Sequence, residues 1–349
     1  MNRHFFHSFI IVFCVCFPIL ALSGCGKASL QAATRTGFYF DTIINVTLYD
    51  TDTSHAEATL DQCFDLAETY ENMISRTVEG SDIWQINHAA GNPVPVHDET
   101  LELLQSALSY AELTNGQIDP TIATLSALWN FSENNAAQGS AIIPADAAIQ
   151  EALSHVDYHA IQIDENTKTV TLTDPEASID LGFIAKGYIA DQMRTQLLSC
   201  NVEHALIDLG GNILAIGGKP DSNGQITDFR IGVRKPFSAD GETLVVLPLK
   251  DKSVVSSGNY ERYFEKDGTI YHHILDTSTG YPIQNHLYQV TILSDSSLEG
   301  DALSTTCYVL GLEKGMQLIE SIPHVEAIFV TDNDELHYSS GIPSETAEP

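Results

Sequence analysis

The chain has 349 residues, with 47 Asp and Glu against 16 Lys and Arg, for a formal net charge of −31. That balance excludes a broad basic face for nucleic acid or anionic lipid, so a phosphate-bearing ligand must be held by a metal, a lone lysine or backbone N–H groups. An apolar share of 43% with no low-complexity tract is ordinary for a globular chain, one with room for one large domain or two closely packed ones.

At the N-terminus, Met1-Asn2-Arg3-His4 precedes an apolar run over residues 9–22 that only Pro18 interrupts. This run is shorter than the roughly 20 residues a spanning helix needs, so residues 1–24 read as an export signal. The following Leu22-Ser23-Gly24-Cys25 has the pattern of a bacterial lipobox, which would make a lipidated Cys25 the first residue of the mature protein. A plain secretory signal with a chance cysteine is the other reading. Residues 25–35 are small, polar and aperiodic, as a tether would be. Of the other cysteines, Cys63, Cys200 and Cys307 lie in apolar, helix-like runs without C-x-x-C spacing, and read as buried hydrophobes.

Residues 43–49 are rich in β-branched side chains and predict a strand. Over residues 55–74, Leu60, Cys63, Phe64, Ala67, Tyr70 and Ile74 recur at intervals of three and four, the stripe of an amphipathic helix. A second helix is predicted over 99–113, stopped by Asn115-Gly116. Residues 160–163 and 169–173 read as a hairpin, and the polar stretch 132–140 as a loop or insertion. A helix is predicted over 186–200, then strands over 204–208, 229–233, 243–249, 253–256, 270–275 and 288–293. Two helices (300–310 and 313–322) and a strand (326–331) close the chain. Hairpins interleaved with long helices predict an α+β class, with mixed, largely antiparallel sheets packed against helices.

Three constellations carry candidate chemistry. In Asp180-Leu181-Gly182-Phe183-Ile184-Ala185-Lys186-Gly187, a helix opens beside a lysine, which suits a phosphate or its metal; a plain corner with a solvated lysine would look the same. In Tyr271-His272-His273-Ile274-Leu275-Asp276, adjacent histidines on a strand face opposite ways, so one of them can serve as a general base but the two cannot clamp a metal. In Gly300-Asp301-Ala302-Leu303-Ser304-Thr305, Asp301 and Thr305 are four apart on one helix face and can offer oxygens to one hard cation, or simply cap the helix. The pairs Gly210-Gly211 and Gly217-Gly218 lack the spacing of a dinucleotide-binding Rossmann turn.

Taken in order, these blocks resemble the ApbE family, the FAD:protein FMN transferases. The resemblance starts at Phe40-Asp41-Thr42 and runs through Ser75-Arg76-Thr77, Asn115 to Thr121, Asp180 to Gly187, Leu209-Gly210-Gly211-Asn212, Ser256 to Arg262, His272 to Gly280 and Gly300 to Thr305. It implies a duplicated, T-fold-like domain, here residues 36–340, with 341–349 as a tail. It also implies Mg²⁺ held by the Phe183 carbonyl, Asp301, Thr305 and Ser304, and FAD contacted by Asp180 and Lys186. Phe40, Thr77, Gln117, Ile118, Asp119 and Leu275 match flavin-lining positions, and His273 matches the histidine that activates the acceptor hydroxyl. Phe40 stands where methionine is frequent in the family and Phe183 where a small residue is common. The implied activity moves FMN from FAD to a Ser or Thr hydroxyl of another extracytoplasmic protein and releases AMP. Two alternatives use the same parts: an FAD pyrophosphatase, and a flavin-binding lipoprotein without turnover. The acceptor pattern Asp-Gly-x-(Ser/Thr)-Gly-Ala-(Ser/Thr) does not occur in this chain. If Cys25 carries the anchor, N-terminal analysis of the protein from its native host will find lipid on residue 25; a mature N-terminus elsewhere would refute the lipobox reading.

Overall fold

The computed structural model describes residues 29–131, 141–238 and 241–342. The export signal, Cys25 and the polar stretch 132–140 lie outside the described residues. An eight-stranded sheet forms the centre, and its spatial order follows chain order: β1 (Gln31–Tyr39), β2 (Thr42–Asp50), β3 (Ala205–Leu209), β4 (Asn212–Ile216), β5 (Ser253–Gly258), β6 (Leu287–Ser294), β7 (Glu326–Thr331) and β8 (Leu336–Tyr338). Every neighbouring pair is antiparallel. The mixed α+β class with antiparallel sheets is thus the observed architecture.

Alternation along the strands explains why the sheet is covered on both sides. Ile207, Leu214, Val290 and Phe329 face a layer of three helices. These are α1 (Thr53–Ile74), α2 (Ala185–Ser199) and α3 (Ser297–Ser321). The intervening Leu206, Ala215, Leu293 and Ile328 face a separate hairpin made of Phe229–Arg234 and Thr243–Leu249. A fully buried Ile, Leu, Val or Phe among them contributes on the order of 1.5–3 kcal/mol. The helix α1 lies on β1 and β2 and packs against α2, which packs against α3. Gly311 takes φ 78° and ψ 173° inside α3, breaking it into the two helical pieces that the sequence pattern predicts.

The two central helices cap one another. Asp191 of α2 accepts the N–H groups of Ser297 and Leu298 at the start of α3, at 3.0 and 2.9 Å. Asp301 of α3 accepts the Gly187 N–H in the first turn of α2, at 2.9 Å. Each carboxylate satisfies donors that a helix leaves unpaired and meets the positive end of its partner's dipole. Only glycine permits this approach, since a Cβ at Gly187 would lie 2.2 Å from the Ser297 carbonyl oxygen and 2.7 Å from the Asp301 Cβ.

Three sequence expectations change. First, β1 begins at Gln31, so residues 31–35 belong to the sheet and not to the tether; the strand exists because it pairs with β2 along its whole length. Second, the strand expected over 270–275 ends at His272, and Leu275 makes an isolated bridge to Pro282. Third, Cys200 is only half-buried, whereas Cys63 and Cys307 are buried as expected; all three are free thiols. Shorter helices at Asp82–His88, Ala123–Trp129 and Asp146–Leu153 had no clear periodic signal.

If the Gly187 contact holds α2 against α3, Gly187→Ala should lower stability by about 1–3 kcal/mol, the usual effect of overpacking. Urea unfolding of the two proteins checks this, and an unchanged midpoint would contradict the close approach.

Candidate functional site

A cleft of about 1520 Å³ opens where several chain segments meet. It is roomier than the ~300–1,000 Å³ of typical small-ligand sites, as a dinucleotide would require. The β1–β2 turn supplies Phe40, and the loop after α1 supplies Arg76 and Thr77. Gln117, Ile118 and Asp119 follow the helix Asp98–Leu113, and Asp180 through Lys186 lead into α2. The remaining walls are the Gly210-Gly211-Asn212 turn, residues 256–263, His273 through Leu275, and the α3 face carrying Asp301 and Thr305. A second groove, of about 1180 Å³ along the later part of α3 and β8, contains none of the motif residues.

Two turns bring their neighbours in. Phe40 and Asp41 both have positive φ (53° and 57°), the two-residue turn whose twist suits a hairpin. A bulky residue is strained there, and its N–H is held by Glu71 Oε1 at 2.6 Å. Gly210 and Gly211 make the corresponding turn between β3 and β4, and a Cβ at Gly210 would meet Thr42 Oγ1 at 2.1 Å. The glycine pair is therefore a strand-to-strand turn, as its non-Rossmann spacing implies.

At the centre, the Asp301 carboxyl is buried. Burial pushes its pKa up, while Lys186 opposes that shift from 3.8 Å. Its Oδ2 is held by Gly187, and Oδ1 faces an ammonium too distant for a tight ion pair. Because the Gly187 N–H turns to Asp301, no backbone N–H among the described residues is donated to the Phe183 carbonyl. Thr305, one helical turn from Asp301, shares a 3.1 Å hydrogen bond with Ser257 Oγ. The set is all oxygen with a single carboxylate, and among the described residues no group of three His, Cys, Asp or Glu is placed to hold a metal ion. Such donors fit Mg²⁺, which keeps several waters and takes one or two carboxylates beside substrate phosphates. Asn212 Nδ2 is also buried and lacks a partner.

His272 and His273 separate as their adjacency demands. His272 is 1% exposed; its Nε2 lies 2.8 Å from the Ile283 carbonyl and its ring sits edge-on to Tyr308. His273 faces the cleft with Nδ1 buried and unpartnered. Burial, with Arg262, His272 and Lys186 adding positive potential, pushes its pKa down to about 3, so the imidazole is neutral at working pH. Glu261, open to the cleft's water but hemmed in by protein, is pushed up to about 7 by desolvation, with Lys186 and Arg262 pulling the other way and Asp301 adding to the rise.

Other expected residues take supporting places. Asp180 receives the Gly182 N–H at 2.8 Å and Arg76 Nε at 3.1 Å. Asp119 is buried, and its carboxylate accepts from Thr121 and the Tyr158 N–H, so it braces the Gln117–Thr121 loop. Thr77 bonds Ser75 Oγ at 3.0 Å, and Leu275 sits between the cleft and the aromatic cluster around Trp129. Ser304 departs from expectation: it is fully buried behind the cleft, bonded to the Asp301 carbonyl and to Ser257 Oγ, and does not line the site. Sequence reasoning gave no role to Ser257, Glu261 or Arg262, although all three fall in the Ser256 to Arg262 block. Arg76, Lys186, Arg234 and Arg262 place four cations on the walls of a cleft in a strongly acidic chain.

The model of the ApbE family matches residues 40–329. An FAD:protein FMN transferase of Treponema pallidum is 33% identical over 328 residues, spanning 91% of this chain and 89% of its own length. One from Klebsiella pneumoniae is 38% identical over 289 residues, spanning 82% and 86%. Among solved structures, the ApbE protein of Thermotoga maritima superposes with a TM-score of 0.80 at 30% identity, covering 91% of this chain and all of that one. The flavin transferase ApbE of Vibrio cholerae gives 0.76 at 26%, covering 89% and 98%. With the family's match spanning most of the chain and its motif residues gathered in one cleft, this protein belongs to the ApbE family.

Proposed function

We propose that the chain is an FAD:protein FMN transferase that works with Mg²⁺ and delivers FMN to a Ser or Thr hydroxyl of an acceptor protein. On this reading it acts outside the cytoplasm, anchored to the membrane through lipid on Cys25. The observation that carries the catalytic reading is the convergence in one cleft of an oxygen-only cation set, Lys186, and a neutral histidine with an unpartnered nitrogen. An inert binder has no need of that last feature.

The Phe183 carbonyl, Asp301 and Thr305 would hold Mg²⁺, which when bound neutralises charge on the FAD pyrophosphate. Ser304, set behind the cleft, bonds the Asp301 main-chain carbonyl and holds the Ser257 hydroxyl. Lys186 stabilises the same developing charge from the start of α2, where helix N–H groups also favour an anion. His273 takes the proton of the acceptor hydroxyl. The hydroxyl oxygen then bonds to the FMN-side phosphorus, the anhydride bond breaks, and AMP leaves with the bonding electrons. Free His273 is a weak base because it is buried, with Arg262, His272 and Lys186 adding positive potential. The substrate's phosphates offset Arg262 and Lys186, so its basicity rises when FAD is in place.

Three measurements test this reading. Asp301→Ala should abolish Mg²⁺-dependent turnover while weakening FAD binding less, and full activity at low Mg²⁺ would remove Asp301 from the site. His273→Ala should lower FMN transfer, read by mass spectrometry of the acceptor, by about 10²- to 10⁴-fold with FAD affinity nearly intact; His272→Ala should cost stability and spare transfer. The opposite pattern would reverse the two histidines' roles, and release of FMN without acceptor labelling would assign the site to hydrolysis. Finally, histidine NMR titration should place His273 well below the ordinary imidazole value in the free protein and shift it upward with FAD; no shift would argue against the proton-acceptor role.

A further inference from the structure

The strand β1 ends the sheet, and among the described residues it pairs with β2 alone. Its inner face is closed: a Cβ at Gly37 would meet the Phe64 ring of α1 at 2.6 Å. Its outer face is open and graded. Thr34 pairs with Thr47 and Thr36 with Asn45, their side chains hydrogen-bonded at 2.8 and 2.7 Å. The next pair toward the turn is Phe38 with Ile43, which are 67% and 56% exposed. The two large apolar side chains thus stand side by side in water, where covering them would be favourable. Phe38 stands at the mouth of the cleft, two residues before Phe40 enters it, so the apolar pair is continuous with the site. The Glu71 bond to the Phe40 N–H fixes this edge relative to the reacting centre.

An unpaired strand edge presents alternating N–H and C=O groups that another backbone can satisfy. The adjoining outer face bears neutral hydroxyls and an amide rather than cations, which suits a polypeptide and not a lipid headgroup or nucleic acid. We propose that an extended segment of the acceptor protein adds to the β1 edge, covers Phe38 and Ile43, and so delivers its hydroxyl to His273. This rests on the transferase reading above, because only that reaction requires a protein chain to reach the cleft.

The test measures transfer rates by the full chain against acceptor concentration, with FAD and Mg²⁺ saturating. Ile43 lies outside the cleft and is exposed, so Ile43→Lys should fold normally, raise the acceptor KM about tenfold, and leave kcat and flavin-fluorescence affinity for FAD within about twofold. Ile43→Val should keep the KM near wild type, and Phe38→Lys should raise it. Amide hydrogen exchange should slow along β1 when an acceptor whose target hydroxyl residue is replaced by alanine is added. An unchanged KM for Ile43→Lys, with wild-type transfer intact, overturns the docking assignment alone. Loss of a wild-type dimer in Ile43→Lys with unchanged KM also overturns it, giving the edge to a second copy of the chain. Absence of transfer by the wild-type protein overturns the transferase reading and this inference together.

Discussion

The mutual capping of α2 and α3 is the constraint around which the site is built. Asp191 ties the start of α3 to α2, and Asp301 ties the start of α2 to α3. Neither carboxylate could be moved without leaving buried N–H groups unpaired, at about 1–3 kcal/mol each. Because Asp301 serves the cap through one oxygen only, its other oxygen is fixed in direction without being committed to a partner. A structural need of two helix ends thereby sets the aim of the one carboxylate that a cation in this cleft would require. The same cap diverts the Gly187 N–H from the Phe183 carbonyl, leaving a second oxygen of the cleft-lining residues without a backbone donor.

Electrostatically, the cleft is far closer to balance than the chain as a whole, with four cations on its lining against five carboxylates. A surface with so many carboxylates repels polyanions, yet four of the few cations line this one concavity. Their concentration there has a second effect, since the potential that would hold a pyrophosphate adds to the burial that suppresses protonation of His273. An anion bound beside Arg262 and Lys186 would offset the charge part of that suppression.

Much of this was legible in the sequence, for physical reasons that differ by element. Strands such as β3 and β7 carry apolar side chains on both faces because helices cover one side and a hairpin the other, so composition alone marks them. The strand β1 opens with Gln31, Ala32 and Ala33 and carries no run of large apolar or β-branched residues, so its extent is set by pairing with β2, which no local pattern reports. The opposed faces of His272 and His273 follow from their adjacency even though the strand stops between them. Asp301 and Thr305 were readable from their four-residue spacing on a helix, whereas Ser304, one position away, rotates behind the cleft. The capping partnership of Asp191 with α3 joins residues over a hundred positions apart, and nothing near Asp191 in the chain announces it.

The interruption of α3 at Gly311 gives this arrangement a kind of insulation. The helix begins as the cleft-lining face and continues, past a residue whose backbone leaves the helical path, as a piece packed through Ile319 against the far strands. An unbroken rod of that length would transmit any tilt at its distal end directly to Asp301. With the joint in place, drift in the later segment, including the groove it forms with β8, can be absorbed at the bend. The two halves of one helix can then evolve at different rates, the first under the demands of chemistry and the second under those of packing alone.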